Sequence, residues 1–264
     1  MIELAAIIIG VPFVILTGIW WYHERTKESG WIDVAWTASV GIAGVWGSLH
    51  GHEEGAGPRA WLYAAMAAAW GLRLGAHLFA RTRLAPDDPR YAKMRQVWGP
   101  EKAPLRMYGV LVYQMVAASL LALAVTAAGQ ASDGPIGMVD IAAGLLFAVS
   151  WVGEAVADAQ MRAFRADPAN HGGIIDTGLW AWSRHPNYFF EWLCWCAFAV
   201  GAFAGSVGTI LAAAPAPFLM FHLLHNVSGV PLLEKYLKAT RPAAFERYAA
   251  RVSKFFPRPP RSVL

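Results

Sequence analysis

The hydrophobic pattern of this chain is long and unbroken where that of a soluble protein would be short and periodic. Runs of roughly 20 apolar residues, the length that crosses a bilayer as a helix, fall near 2–22, 31–50, 60–79, 108–130, 138–160, 187–204 and 206–225. The pattern therefore predicts an all-α integral membrane bundle of about seven transmembrane helices. The first run has no basic stretch ahead of its apolar core, and a second run follows after a short loop. That predicts retention in the mature fold rather than cleavage as a signal peptide.

The cations between the runs predict an orientation, because Lys and Arg are retained on the cytoplasmic side. Arg25 and Lys27 follow the first run, and the connection after the third carries Arg81, Arg83, Arg90, Lys93, Arg95, Lys102 and Arg106. Arg162, Arg165 and Arg184 follow the fifth, and the tail holds eight more from Lys235 to Arg261. The opposite connections hold only Arg59. Seven spans put every basic segment on one face, with the N-terminus outside and the C-terminus in the cytoplasm.

Composition agrees: 56% of residues are hydrophobic, 15% are charged, and there are thirteen tryptophans, against about 25% charge in soluble domains. Positive loops beside anionic headgroups account for the net charge of +4 without nucleic acid. No repeat, low-complexity stretch or long linker interrupts a single membrane domain over 1–264, and nothing points to an obligate protein partner. Cys194 and Cys196 lie two apart on a predicted helix and point away from each other. His222 and His225 share a face without a carboxylate cluster beside them, and His52-Glu53-Glu54 falls on the external side. The predicted metal set is therefore none.

Polar groups inside apolar runs are costly and mark function. Glu154, Asp158, Arg162 and Arg165 recur at helical spacing on one face. Such a stripe is either a series of ion pairs where the helix leaves the membrane or a surface for a ligand carrying phosphates and a ribose. Pro186 opens a further helix, and its free N–H groups near His185 make an anion site. Asn187 and Glu191 stand one turn apart on that helix, either as a packing hydrogen bond or as a clamp for a carboxamide. The tail, Leu233-Glu234-Lys235-Tyr236 followed by Arg241-Pro242, Phe245, Tyr248, Arg251 and Phe255-Phe256-Pro257, reads on its own as an amphipathic interfacial helix.

Three segments carry a resemblance: Asp158-x-Gln160-x-Arg162-x-x-Arg165, Gly178-Leu179-Trp180 running on to Ser183-Arg184-His185-Pro186-Asn187-Tyr188-x-x-Glu191, and the Leu-Glu-Lys, Arg-Pro, Tyr, Pro tail. Together they make residues 138–257 similar to the C-terminal domain of the steroid 5-alpha-reductase-like superfamily, in its bacterial branch of membrane proteins. The resemblance implies an NADPH-dependent reductase of a lipid carbon–carbon double bond, in a bacterial inner membrane with the cofactor side facing the cytoplasm. It implies that residues 1–130 shape the pocket for a steroid or other unsaturated lipid, and that the C-terminal half binds the dinucleotide. By position it assigns Glu154, Asp158, Arg162, Arg165, Arg184, His185, Asn187, Tyr188, Glu191, Tyr236, Tyr248 and Arg251 to the cofactor, with Asn187 and Glu191 at the nicotinamide amide. Glu154 stands where the animal steroid enzymes have Asn.

For catalysis, an alignment anchored on Arg73 puts Trp70 where those enzymes carry the tyrosine of a Tyr–Glu pair. Asp33, in Trp31-Ile32-Asp33-Val34-Ala35-Trp36, is the nearest intramembrane carboxylate and the first candidate for an acid or orienting role. His77, Tyr108 and Tyr113 are alternative donors. Two other functions share the pattern. Isoprenylcysteine and phospholipid methyltransferases carry a similar Arg-His-Pro-x-Tyr block and bind S-adenosylmethionine, usually with paired glutamates in the tail. A lipid-binding protein on the same scaffold would lack catalysis.

Overall fold

The computed structural model describes residues 2–52 and 55–261. Glu53 and Glu54 of the His52-Glu53-Glu54 run lie outside the described residues. Helices dominate, and the chain forms two compact units, Met1–Ile141 with Phe198–Pro215, and Ala142–Ala197 with Ala216–Leu264. Residues 198–215 thus join the N-terminal unit, although the sequence pattern groups them with the C-terminal half; their helix packs on the fourth helix of that unit.

In the first unit, α1 (Ile2–Thr26), α2 (Trp31–Leu49), α3 (Pro58–Leu84) and α4 (Pro89–Gly129) pack side by side. With no hydrophobic drive between helices in lipid, small residues that let backbones approach hold such a bundle together. Gly44 of α2 does this: a Cβ there would meet Val125 of α4 at 3.2 Å. The 108–130 run predicted as a separate span is the second part of α4, which bends at Gly99, whose φ of +73° is non-helical. Glycine takes that left-handed turn without strain, and Pro100 has no N–H to continue the ladder. Leu16, Ile32, Tyr91, Met107, Leu111 and Met115 form a core here, flanked by Trp20, Trp36 and Trp98. The first residues of α5 (Met138–Ala166) and the short α7 (Val207–Ala213) complete the unit.

At the start of α5, Asp140 is fully buried in a pair with Arg59 at 2.7 Å and accepts from the Tyr63 hydroxyl at 3.0 Å. Arg59, the lone cation of the opposite connections in the sequence, is therefore a core residue.

The second unit comprises most of α5, then α6 (Pro186–Gly201), α8 (Pro215–His222), a π turn over Leu223–Val227, α9 (Val230–Thr240) and α10 (Pro242–Arg251). Pro186 does open α6. Between α5 and α6 the backbone is irregular and is fixed by side chains. Gln160 accepts from Leu179 N at 3.0 Å, and the Trp180 indole donates to the Ala157 carbonyl at 3.0 Å.

Among the described residues, five helical runs are long and apolar enough to cross a membrane: Ile2–Thr26, Trp31–Leu49, Pro89–Gly129, Met138–Ala166 and Val207–Thr240. The other two predicted spans are helical also. However, α3 carries Arg59, Arg73, Arg81 and Arg83, and α6 has only 16 residues.

Candidate functional site

Sequence and backbone bring most of the predicted cofactor residues together in the second unit. The stripe on α5 divides by depth: Glu154 and Asp158 are buried, whereas Arg162 and Arg165 are exposed. Asn187 donates to Asp158 Oδ1 at 3.4 Å, joining α6 to α5 at the middle of the stripe. One turn on, the buried Glu191 accepts from the Trp195 indole at 2.9 Å. Tyr188 lies parallel to His185, with ring centroids 5.6 Å apart.

Beyond Asp158, toward the end of α5, a cleft of about 380 Å³ opens. Its polar lining includes Arg165, His171, Arg184 and Arg241, and its aromatic lining is Phe164, Trp180, Tyr236 and Tyr248. Arg165 makes no hydrogen bond to a described residue, and Arg241 donates through Nη1 to the Gly173 carbonyl at 2.8 Å. Both guanidiniums thus keep N–H groups for a ligand. Arg241 and His171 were not among the residues predicted from sequence. Arg241 was visible only as half of the Arg-Pro tail motif, and His171 lies in a loop without periodicity.

The tail closes one wall of this cleft. Arg184 donates from Nε to Glu234 at 2.8 Å and from Nη1 to the Val252 carbonyl at 2.9 Å. Its backbone N–H bonds Ser253 O at 2.8 Å, and Ser183 Oγ bonds Phe255 O at 2.8 Å. Tyr248 is buried and donates to the Trp180 carbonyl at 2.7 Å; burial raises its phenol pKa. Arg184 and Tyr248, both predicted to touch a cofactor, therefore build the wall of the cleft. Arg251 lies at the exposed surface 3.8 Å from Asp176.

His185 is 1% exposed, with Nε2 at 3.3 Å from Glu234 Oε1 and Nδ1 without a hydrogen-bond partner among the described residues. Burial lowers its pKa, against the opposing hydrogen bond to Glu234, and so favours the neutral ring. With its N–H turned to Glu234, Nδ1 is a buried lone pair waiting for a donor.

The predicted catalytic residues lie in the first unit. Trp70 is fully buried, its ring meeting Trp36 edge-on at 6.4 Å, and Arg73 follows three residues later on α3. Asp33, one turn before Trp36, is the hub of a charge network. It accepts from Arg90, from Arg81 at 3.3 Å and from the Tyr91 hydroxyl at 3.2 Å. Tyr91 in turn accepts from Gln114 at 2.7 Å. Asp33 accepts in all three contacts. Tyr91, the phenol that donates to it, was not singled out from sequence, where it sits in a polar run with no sign of a buried position.

The fold and this site define an all-helical membrane protein with a cationic, aromatic-walled cleft in its C-terminal unit. The chain belongs to the family described as "Protein of unknown function (DUF1295)", whose profile matches residues 19–252. It is 25% identical over 275 residues to Uncharacterized protein C594.04c of Schizosaccharomyces pombe, an alignment spanning 94% of this chain and 78% of the yeast protein. No solved structure matches it.

Proposed function

We propose that this protein is an NADPH-dependent membrane reductase of a carbon–carbon double bond in a lipid. The observation that carries the reading is the convergence of Arg165, Arg241 and His171 with the rings of Trp180 and Tyr236 on one cleft. Guanidiniums match phosphate oxygens in pairs, and aromatic faces suit a base. From Arg165 back to Glu154, α5 runs about 16 Å at 1.5 Å per residue. Along that length the polar groups pass from the cations of the cleft to the Asp158–Asn187 pair and Glu191 beyond its lining, an order that matches the phosphate, ribose and carboxamide ends of an extended dinucleotide.

The residues present fit the cofactor. Arg165 and Arg241 would hold phosphates, Tyr236 would cover the base, and the carboxamide would meet Asn187 as donor and Glu191 as acceptor. His185 Nδ1 takes a donor hydrogen. NADPH, when bound, supplies the hydride; the chain's share is orientation and exclusion of water. In this reading the first unit serves the lipid, and Asp33 orients Tyr91. Seven spans with the N-terminus outside put the cleft at the cytoplasmic surface, where the nucleotide is found.

S-adenosylmethionine is the weaker partner for this cleft, because its sulfonium would enter among three arginines. Titrating the purified protein with NADPH, NADH and S-adenosylmethionine, read by quenching of tryptophan fluorescence, tests the choice. Saturable binding selective for NADPH is expected. Binding of S-adenosylmethionine alone would make the protein a methyltransferase.

A further inference from the structure

The histidine pair that the cofactor reading leaves unused spans the end of α8, which closes on His222, and the π turn after it, which holds His225. The run Val207–Thr240 is apolar enough to cross a membrane, yet it places His222, His225 and Asn226 together. A π turn holds an extra residue per turn and recurs at functional sites. In this one, Asn226 Oδ1 lies 2.9 Å from His225 Nδ1, and Asn226 Nδ2 lies 3.4 Å from His222 Nδ1.

An amide can satisfy both rings in only one way: it accepts from a ring N–H on one side and donates to a ring lone pair on the other. The Nε2 of His225 is then an acceptor, and that of His222 is a donor. Turning the amide over exchanges the roles and still leaves one of each. The arrangement is held in place from behind. The His225 ring stacks on Phe221 with centroids 4.9 Å apart and meets Phe255 edge-on at 5.8 Å. The turn also lies close against α6, since a Cβ at Gly229 would meet the Tyr188 ring at 3.0 Å.

His222 and Asn226 are exposed, and so are the apolar side chains of Phe218 and Val227 beside them. Imidazoles within an apolar segment are costly unless a polar partner meets them. Among the described residues no group of three His, Cys, Asp or Glu is arranged to hold a metal, so the partner must answer a matched N–H and lone pair. A hydroxyl does this, accepting from one ring and donating to the other. A ketone, an ether or a carboxylate only accepts, and a hydrocarbon does neither.

We infer that the His222–Asn226–His225 triad binds the hydroxyl head of an apolar alcohol whose body lies along Phe218 and Val227. The site goes beyond the NADPH reading and does not depend on it. To test it, the full chain is placed in phosphatidylcholine nanodiscs, whose lipid has no hydroxyl, and photolabelled with a diazirine-bearing hexadecanol or its methyl ether. Mass spectrometry of the peptide covering 215–230 reads the label. The alcohol is expected to label this segment about fivefold more than the ether at subsaturating concentration, the value of one net hydrogen bond. His222→Ala and Asn226→Ala are expected to abolish that preference, with the melting temperature and NADPH titration unchanged because both side chains are exposed. Equal labelling by alcohol and ether, or a preference that survives in both variants, would overturn the assignment. Neither result bears on the cofactor cleft, which the NADPH titration reads separately.

Discussion

Arg184 and Glu234, fifty residues apart, meet through two guanidinium nitrogens on one carboxylate oxygen, Nε at 2.8 Å and Nη2 at 2.7 Å. His185 reaches the same oxygen at 3.3 Å. The pair is nearly buried, so removing one partner leaves a charge without compensation. Glu234→Gln is expected to cost about 3 kcal/mol, at the lower end for such pairs because one amide oxygen remains. The loss should appear as a lower melting temperature and as faster proteolysis between α9 and Arg261.

The two cleft arginines with N–H groups to spare should carry the affinity for phosphate. Arg165→Ala and Arg241→Ala are each expected to weaken NADPH binding at least tenfold, as for a lost charge-assisted contact. Arg162→Ala, one turn earlier and outside the cleft lining, is expected to change it little. If Arg162 proves to be the sensitive position, the phosphate lies along the outer face of α5 instead.

The Asp158–Asn187 contact predicts a graded response deeper in the site. Asn187→Ala and Glu191→Gln are expected to weaken NADPH binding without altering the melting temperature by more than a few degrees. Unchanged affinity in both would remove the carboxamide assignment.

The stripe, the helix opened by Pro186 and the Asn187–Glu191 spacing were legible because a helix turns spacing into position. The cleft was not, since it is built by contacts over long separations: Arg241 to Gly173, Tyr248 to Trp180, Arg184 to the tail. For the same reason, the contacts by which Arg184 and Tyr248 build the cleft wall could not be read from sequence. A residue type suited to phosphate is equally suited to a backbone carbonyl, and only the fold decides which it meets. Span counting went furthest where runs were apolar throughout. It was least informative at α4, where the bend at Gly99 joins a polar and an apolar helix.

In the first unit, Asp33→Asn is expected to cost about 1–2 kcal/mol, because its arginine partners are partly solvated and the pair is discounted accordingly. Tyr91→Phe should cost about 1 kcal/mol by depriving Gln114 of its acceptor. Both effects are measurable as thermal shifts in detergent.

Stability should also depend on pH in two separate windows. Burial lowers the pKa of His185 below its ordinary value, outweighing Glu234. The unfolded chain then takes up the proton first, so this contribution is complete above about pH 6.5 and declines as the pH falls below it. Asp88 behaves differently: burial raises its pKa, but the hydrogen bonds from Arg90 more than offset this, and the net shift is downward. Its contribution is complete above about pH 4 and is lost as the pH falls further. Melting temperatures from pH 8 to pH 3 should fall in two steps, and His185→Asn should remove the upper one.

The stitching of 182–185 to 252–258 also sets an order of events during synthesis. The spans of the first unit need nothing from residues beyond 215 and can enter the bilayer while translation continues. Part of the segment from Trp182 to Arg184, by contrast, finds its hydrogen-bond partners only when Ser253, Phe255 and Arg258 have left the ribosome. A nascent chain therefore passes through a stage at which its first unit can be membrane-inserted while the wall of the C-terminal cleft is still incomplete. Shortening it by a few residues before Arg258 would leave it there, a target for membrane quality control.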